Sequence, residues 1–358
     1  MEIMRKLASV RTISDISPIE NADNIVCATV DGWKVVTQKS NNFKPGDLVV
    51  YFEIDSFLPV TEKFEFLRKS SFKVMEGKEG FRLKTIRLRG QISQGLILPM
   101  SEFFTLNENG FWTTPGGIVL EDGDDLTEYL GVLKYEKALA SSLSGIAKGN
   151  FPSFIQKTDQ ERVQNIYKYF FRDEWSYIEF ETTLKLDGSS MTVYYKDGYV
   201  GVCSRNLDLL EDDTNSFWKM AKDSNLINSL AAYGKNFAIQ GELMGPGIQG
   251  NREKFDSLKF FVFDVFDIDK FEYLDPFDRD DVLIDLRDCG AKIDQVPRTK
   301  PCGYAMLSDY KSLDDMLAYA ERPSINASVA EGVVFKSMKG PRKSFKIISN
   351  KFLMGEKD

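Results

Sequence analysis

Short apolar runs, punctuated by turn-forming pairs, dominate the first third of the chain. Residues 25–30, 33–37, 48–53, 81–89 and 95–98 are rich in β-branched and aromatic side chains, and Asp31-Gly32, Lys44-Pro-Gly-Asp47 and Arg89-Gly90 separate them. This spacing predicts a small barrel or sandwich over residues 1 to about 130. If residues 81–89 form one strand, Arg82 and Lys84 project from one face and Arg87 and Arg89 from the other, so at least one pair meets solvent. A charged edge strand and a nucleic-acid contact surface both fit that pattern.

Residues 131–155 lose the alternation. With Ala138-Leu-Ala-Ser-Ser-Leu-Ser-Gly145 and Gly149-Asn-Phe-Pro152 they read as a linker and the entrance to a second domain, 156–358. That domain opens on Thr158-Asp-Gln-Glu161, a capping box, ahead of Val163, Ile166, Tyr167 and Phe170 at helical spacing. Gln164 and Asn165 lie off the apolar stripe. A second amphipathic stretch, 312–319, is expected to cover a sheet. Between them, Tyr177-Ile-Glu-Phe-Glu-Thr-Thr-Leu184 is rich in β-formers, and Gly188 ends the run just past Lys185. Alternation puts Lys185 and Asp187 on one face if the strand runs through them, and Glu331 on the face of Val333.

Composition narrows the chemistry. The 358 residues contain no histidine, which removes imidazole as base, phosphate carrier or metal ligand. A lysine nucleophile with a hard, oxygen-ligated metal remains open, whereas a serine–histidine hydrolase, a histidine kinase and a histidine-ligated zinc enzyme do not. The net charge of −8 means that a polyanion must be met by a local basic patch. Cys27, Cys203, Cys289 and Cys302 form no Cys-x-x-Cys pair and read as reduced thiols. No apolar segment approaches the roughly 20 residues that span a bilayer, and Met1-Glu-Ile-Met-Arg-Lys6 lacks a signal-peptide core, so an intracellular, cytoplasmic protein is expected (host-cell cytoplasm for a viral source).

Lys185-Leu-Asp-Gly188 taken alone also describes a hairpin with a surface lysine. Its partners downstream change that: Ser204-Arg205, Gln240-Gly-Glu-Leu-Met-Gly245, Phe260-Phe-Val-Phe-Asp-Val-Phe266, Glu331-Gly-Val-Val-Phe-Lys336 and Ser344-Phe-Lys-Ile-Ile348. The ordered set resembles the motifs of the covalent nucleotidyltransferases, the ATP-dependent ligases and mRNA capping enzymes. Within them the chain resembles the ATP-dependent RNA ligases with an amino-terminal OB-fold domain, the Naegleria/Deinococcus type. Lys157-Thr-Asp-Gln-Glu-Arg-Val-Gln-Asn165, the wording of the last motif and the β-rich segment ahead of the catalytic region carry that narrower likeness. No carboxy-terminal OB domain fits after Lys346.

The resemblance implies an α+β protein, an OB-fold β-barrel followed by a nucleotidyltransferase domain built on antiparallel sheets with flanking helices. It implies that Lys185 attacks ATP to form lysyl–AMP, that AMP passes to an RNA 5′-phosphate, and that a 3′-hydroxyl then seals the strand, at nicks in duplexes. For the amine to react, its pKa must fall from about 10.4 by desolvation and a nearby cation. In this reading Mg2+, with Mn2+ able to substitute, is held through waters by Asp187, Glu242 and Glu331. Arg205 contacts phosphate or ribose, Phe263 stacks on adenine, and Lys346 meets the α-phosphate. Lys336 is open between a phosphate contact and a solvated strand end. Gln164 and Asn165 border the nucleotide or are exposed helix amides. Arg87 and Arg89 are the candidate RNA contacts. Many ligases have a lysine where Ser344 stands here, and Arg342 or Lys343 could compensate. The partner is an RNA or RNA-containing duplex with 5′-phosphate and 3′-hydroxyl ends, without a membrane, and a monomer is expected. A DNA ligase or capping-type enzyme, and a non-catalytic nucleic-acid-binding protein, are the alternatives.

Overall fold

The computed structural model describes residues 6–135, 147–170, 173–300 and 303–355. The chain divides into two units, Met1–Ala138 and Leu139–Asp358. In the first, the strand Ala8–Pro18 pairs with Leu48–Phe52 through its first half and with Ile25–Val30 through its second, and its register shifts between Ile13 and Asp15. A bulge of this kind bends a strand so that it can serve two sides of a barrel. Trp33–Gln38 and Leu96–Pro99 complete this five-stranded sheet, and Val10, Val50, Phe52, Leu58 and Phe81 meet in the core.

Residues 81–89 do not form one strand. Lys78–Arg82 and Thr85–Leu88 belong to different sheets, because Leu83 buries its side chain and its backbone bonds Ser56 and Asp55 across the gap. Arg82 turns inward, 3.4 Å from Asp55 and 4.5 Å from the centroid of the Tyr135 ring. Arg87 and Arg89 stay exposed on the hairpin that Thr85–Leu88 makes with Gln91–Gln94. Arg89 (φ +48°) and Gly90 (φ +86°) shape its turn.

The second unit is built on two sheets. The larger is eight-stranded, with Ala147–Asn150, Leu207–Leu209, Tyr199–Cys203, Ser189–Lys196, Phe237–Met244, Lys259–Asp267 and Glu272–Tyr273 in that order and Asp294–Gln295 beside Lys259–Asp267. Helices Ser216–Asp223, Leu226–Tyr233 and Pro276–Asp288 cover its back, where Phe217, Leu230 and Leu283 pack on Met191, Val193, Ile239 and Leu243. The smaller sheet runs Glu161–Arg162, Ser344–Ile348, Gly332–Ser337, Phe180–Lys185. Pairing is antiparallel except at two short strands, Glu161–Arg162 and Asp294–Gln295.

Residues 147–150, expected in the linker, are the edge strand of the larger sheet, and Leu133–Lys134 pair with Phe57 and Ser56 in the first unit. The segment Ala138 to Gly145, expected to be part of the linker, lies outside the described residues, as does Cys302. The helix after it spans Val163–Phe170, so Thr158-x-x-Glu161 is no capping box: Glu161 is drawn into the sheet beside Phe345, and its carboxylate accepts from Arg162 N–H and Asn165 Nδ2. The later helix forms as Leu313–Ala320, capped by Ser312 Oγ accepting from Asp315 N–H. Among the described residues no helix is long and apolar enough to cross a membrane.

Candidate active site

Two glycines bring the catalytic strands together. The strand Phe180–Lys185 ends at Lys185, and Leu186-Asp187-Gly188 turns the chain into Ser189–Lys196. A Cβ on Gly188 would lie 2.4 Å from the carbonyl oxygen of Leu243, so only glycine lets this turn press on the strand Phe237–Met244. There its N–H donates to Glu242 Oε1 at 3.0 Å. On the other side Lys185 stands in register with Gly332, where a Cβ would meet the Ile347 carbonyl oxygen at 2.0 Å. The carboxylate of Glu331, one residue earlier, sits 2.6 Å from Lys185 Nζ.

Alternation misplaces Glu331. Val333 packs into the apolar core behind the small sheet with Phe180, Phe335 and Phe345, whereas Glu331 reaches Lys185. The strand begins only at Gly332, so the residue before it is not bound by the pleat. Asp187 follows the end of its own strand, and its charge acts on both Lys185 and Glu331.

The electrostatics are one-sided. Burial pushes the Glu242 carboxyl up to about 8, with Glu331 and Asp187 adding to the rise and Lys185 and the Gly188 N–H opposing it. Asp187 is also raised, by burial and then by Glu331, against the pull of Lys185 and of Arg252, whose Nη1 is 3.6 Å away. Burial draws Lys185 down, but Glu331 and Glu242 outweigh it and the amine is held protonated. The expectation of a lowered lysine pKa is therefore not met by the chain alone. The cation that would lower it must come from outside.

Hard oxygen donors with uncompensated negative charge suit a divalent ion such as Mg2+. Among the described residues no group of three or more carboxylate or thiolate side chains forms a direct cage for a metal. Asp187, Glu242 and Glu331 accordingly fit an ion held through its own waters better than one stripped of them.

Registers align Lys185 with Gly332 and Ile348, Thr183 with Val334 and Lys346, and Glu181 with Lys336 and Ser344. Directly opposed residues share a face, so Lys346 stands on the Lys185 side of the small sheet. Phe263 packs on the apolar cluster of Leu184, Leu186, Val296 and Ala330 that flanks the lysine. Arg205 is exposed and pairs with Asp159 at 2.8 Å. Gln164 is buried rather than an exposed helix amide, and its Oε1 has no hydrogen-bond partner.

Lys336 is not a solvated strand end. Its Nζ lies 5.4 Å from the centroid of the Phe263 ring, donates to the Phe263 carbonyl and pairs with Asp264 at 3.1 Å, both side chains almost fully buried. Burial pulls it down to about 8. Arg342, a candidate to compensate for Ser344, instead binds Asp264 at 2.8 Å and stacks 4.0 Å from the Tyr273 ring centroid. Lys343 lies 4.6 Å from the Trp175 ring centroid.

Sequence reasoning missed the layer behind these groups. Glu181 accepts from Arg279 Nη2 and from Arg298 Nε, each at 2.7 Å, and Asp280 bonds both arginines. Burial would raise the Glu181 carboxyl, but Arg279, Lys336 and Arg298 hold it down to about 2. Because this is below the unfolded value, the group stabilises the fold above about pH 4.3, and the contribution of roughly 3 kcal/mol fades as pH falls toward 2. Glu181→Gln should therefore destabilise at pH 7, and the gap from the parent should shrink by more than about 1 kcal/mol at pH 3. Urea unfolding at the two pH values measures it; a gap that does not change would show that the ion pairs contribute little.

A family model described as an OB-fold domain matches residues 7–100, and one described as RNA ligase matches residues 178–348. Among solved structures the chain is similar to Naegleria gruberi RNA ligase with PPi, at 45% identity, 98% of each chain covered and a TM-score of 0.85. It is similar to a lysine-to-methionine mutant of that ligase with AMP and Mn, at 44% identity, 98% of each chain and a TM-score of 0.87. A glutamate-to-alanine mutant with ATP and Mn matches at 44% identity over 99% of this chain and 100% of that one, TM-score 0.86. No curated protein matches.

Proposed function

The chain belongs to the RNA ligase family, and from that premise we propose that it seals 3′-hydroxyl and 5′-phosphate RNA ends at nicks in duplexes, with Lys185 as the nucleophile. It is an ATP-dependent ligase that uses a divalent metal and has an OB-fold domain ahead of the ligase domain. The observation that carries the residue assignment is Lys185 Nζ lying 2.6 Å from Glu331 with Glu242 and Asp187 close around it.

In the first step the neutral Lys185 amine forms a P–N bond to the α-phosphorus of ATP, the bond to the β-phosphate oxygen breaks, and pyrophosphate leaves. A hydrated divalent cation held by Asp187, Glu242 and Glu331 supplies, when bound, the positive charge that offsets these carboxylates and the α-phosphate. Lys346, on the Lys185 face of the small sheet, would meet the α-phosphate, and Phe263 would stack on adenine. Arg205 must leave Asp159 to reach a phosphate or ribose. In the second step an RNA 5′-phosphate oxygen attacks the same phosphorus and breaks the P–N bond, and in the third a 3′-hydroxyl displaces AMP. Lys336, buried against Asp264, orders Phe263 from behind in this reading.

The exposed hairpin with Arg87 and Arg89 is the proposed RNA contact of the first unit. Arg87→Ala with Arg89→Ala should leave lysyl–AMP formation intact. It should weaken sealing of a 5′-phosphorylated nick and reduce the log–log salt slope by up to about two. Sealing with the parent's salt dependence would assign the hairpin to another role. Comparing a nicked RNA duplex, an RNA–DNA hybrid and single strands tests the acceptor, and a preference for unpaired ends would overturn the nick.

A further inference from the structure

The larger sheet carries a second recess on its catalytic face. Glu242 stands in register with Ser190, and Tyr194 follows four residues along the same strand, while Met191 and Val193 between them pack on the helices behind. Tyr194 therefore faces the same side as Glu242, about 13 Å farther along at roughly 3.3 Å per residue. The segment after the edge strand Ala147–Asn150 crosses this face, pinned where Gln240 Nε2 and Tyr273 Oη donate to the Gln156 carbonyl at 2.9 and 2.8 Å. Between segment and sheet lies a recess of about 420 Å³ lined by Lys148, Phe154, Tyr194, Lys196, Tyr199 and Asp208.

Its side chains alternate ammonium groups with rings. Lys148 Nζ lies 4.2 Å from the Tyr199 ring centroid, Lys196 Nζ 5.7 Å from that of Phe154, and Phe154 meets Tyr194 edge-on at 5.4 Å. Beyond the recess Lys157 Nζ lies 5.8 Å from the Phe151 ring centroid. At the floor Asp208, 7% exposed, accepts from Tyr194 Oη at 3.0 Å and lies 3.7 Å from Lys148. Asp208 and Asp197 balance the charge of Lys148 and Lys196, so the recess has little excess charge to hold a small free anion. A ligand that brings both a flat base and a phosphate matches the pattern better, since rings take base faces and lysines take the backbone.

We propose that this recess binds a nucleotide of the RNA strand within about four residues of the reacting end, taking roughly 3.4 Å of rise per nucleotide. The proposal rests on the ligase reading for its ligand class. None of the residues that line the recess is among those assigned to adenylylation, so the two readings can fail separately.

The test uses the full chain with Lys148→Ala and Lys196→Ala together, and Tyr199→Phe beside Tyr199→Ala. Lysyl–AMP formation from ATP should stay within about twofold of the parent in all of them. The KM for pre-adenylylated RNA in sealing should rise roughly tenfold in the lysine pair and in Tyr199→Ala with kcat little changed, while Tyr199→Phe, which keeps the ring, should behave as the parent. The log–log salt slope of labelled-RNA binding should fall by about one or more in the lysine pair. An unchanged KM and salt slope in folded variants overturns the proposal, and so does a loss of kcat that tracks a loss of thermal stability. Parent protein that forms no lysyl–AMP would defeat the ligase reading instead, and the RNA-binding measurement would still decide the recess.

Discussion

Lys185→Met is expected to reduce lysyl–AMP formation by at least about 10³-fold while the protein stays folded, because methionine keeps the apolar stem and removes the proposed attacking amine. The side chain is part-exposed at the mouth of the carboxylate cluster, so its loss leaves no large cavity. It does leave Glu331 without its ion-pair partner and removes a positive charge that acts on Glu242 and Asp187. The variant should then bind a divalent ion at least as tightly as the parent. Single-turnover labelling and a thermal-shift titration with Mn2+ separate the two effects. Residual labelling near the parent's rate would move the nucleophile elsewhere.

Glu242→Gln is expected to cut adenylylation by on the order of 10²-fold and yet to stabilise the metal-free protein. Burial raises the Glu242 carboxyl to about 8 in the folded chain, so ionising it costs folding free energy that grows as pH rises from about 4.5 toward 8. Glutamine removes that cost and still accepts from the Gly188 N–H. A gain on the order of 1–3 kcal/mol at pH 8, nearly absent at pH 5, follows. Denaturant unfolding at both pH values checks it, and a loss of stability at pH 8 would show the carboxylate to be structural. Glu331→Gln should lose activity too, but it also frees Lys185 from its ion pair, so its effect on stability is smaller and less diagnostic.

The order of motifs made the candidate groups legible: Lys185, Asp187, Glu242 and Glu331 were named from sequence, and the fold brings them near one another. Their local geometry was less legible. Period-two reasoning holds only inside a strand, and Glu331 lies just before one, while Asp187 lies just after one. The same limit explains residues 81–89, where an unbroken pattern crosses between two sheets at Leu83. The buried ion network was invisible for a different reason. Arg279 lies 98 residues from Glu181 and on a helix whose polar positions look solvent-facing, so nothing local marks it as interior. Lys336 was left open between a phosphate contact and a solvated strand end, and Arg342 was a candidate to compensate for Ser344, because Asp264, in an aromatic run, gave no sign that it would hold both. Lys148, Lys196 and Tyr199 are likewise unremarkable until the sheet assembles them.

The most direct test is to incubate the protein with α-labelled ATP or GTP and divalent metal, quench with denaturant at alkaline pH, where a P–N bond survives, and map any covalent adduct by tandem mass spectrometry. AMP is expected, drawn from ATP and not from GTP, on the peptide containing Lys185, with transfer to a 5′-phosphorylated RNA when that is added. Label from GTP, label on another residue, or an adduct that RNA cannot discharge would contradict it.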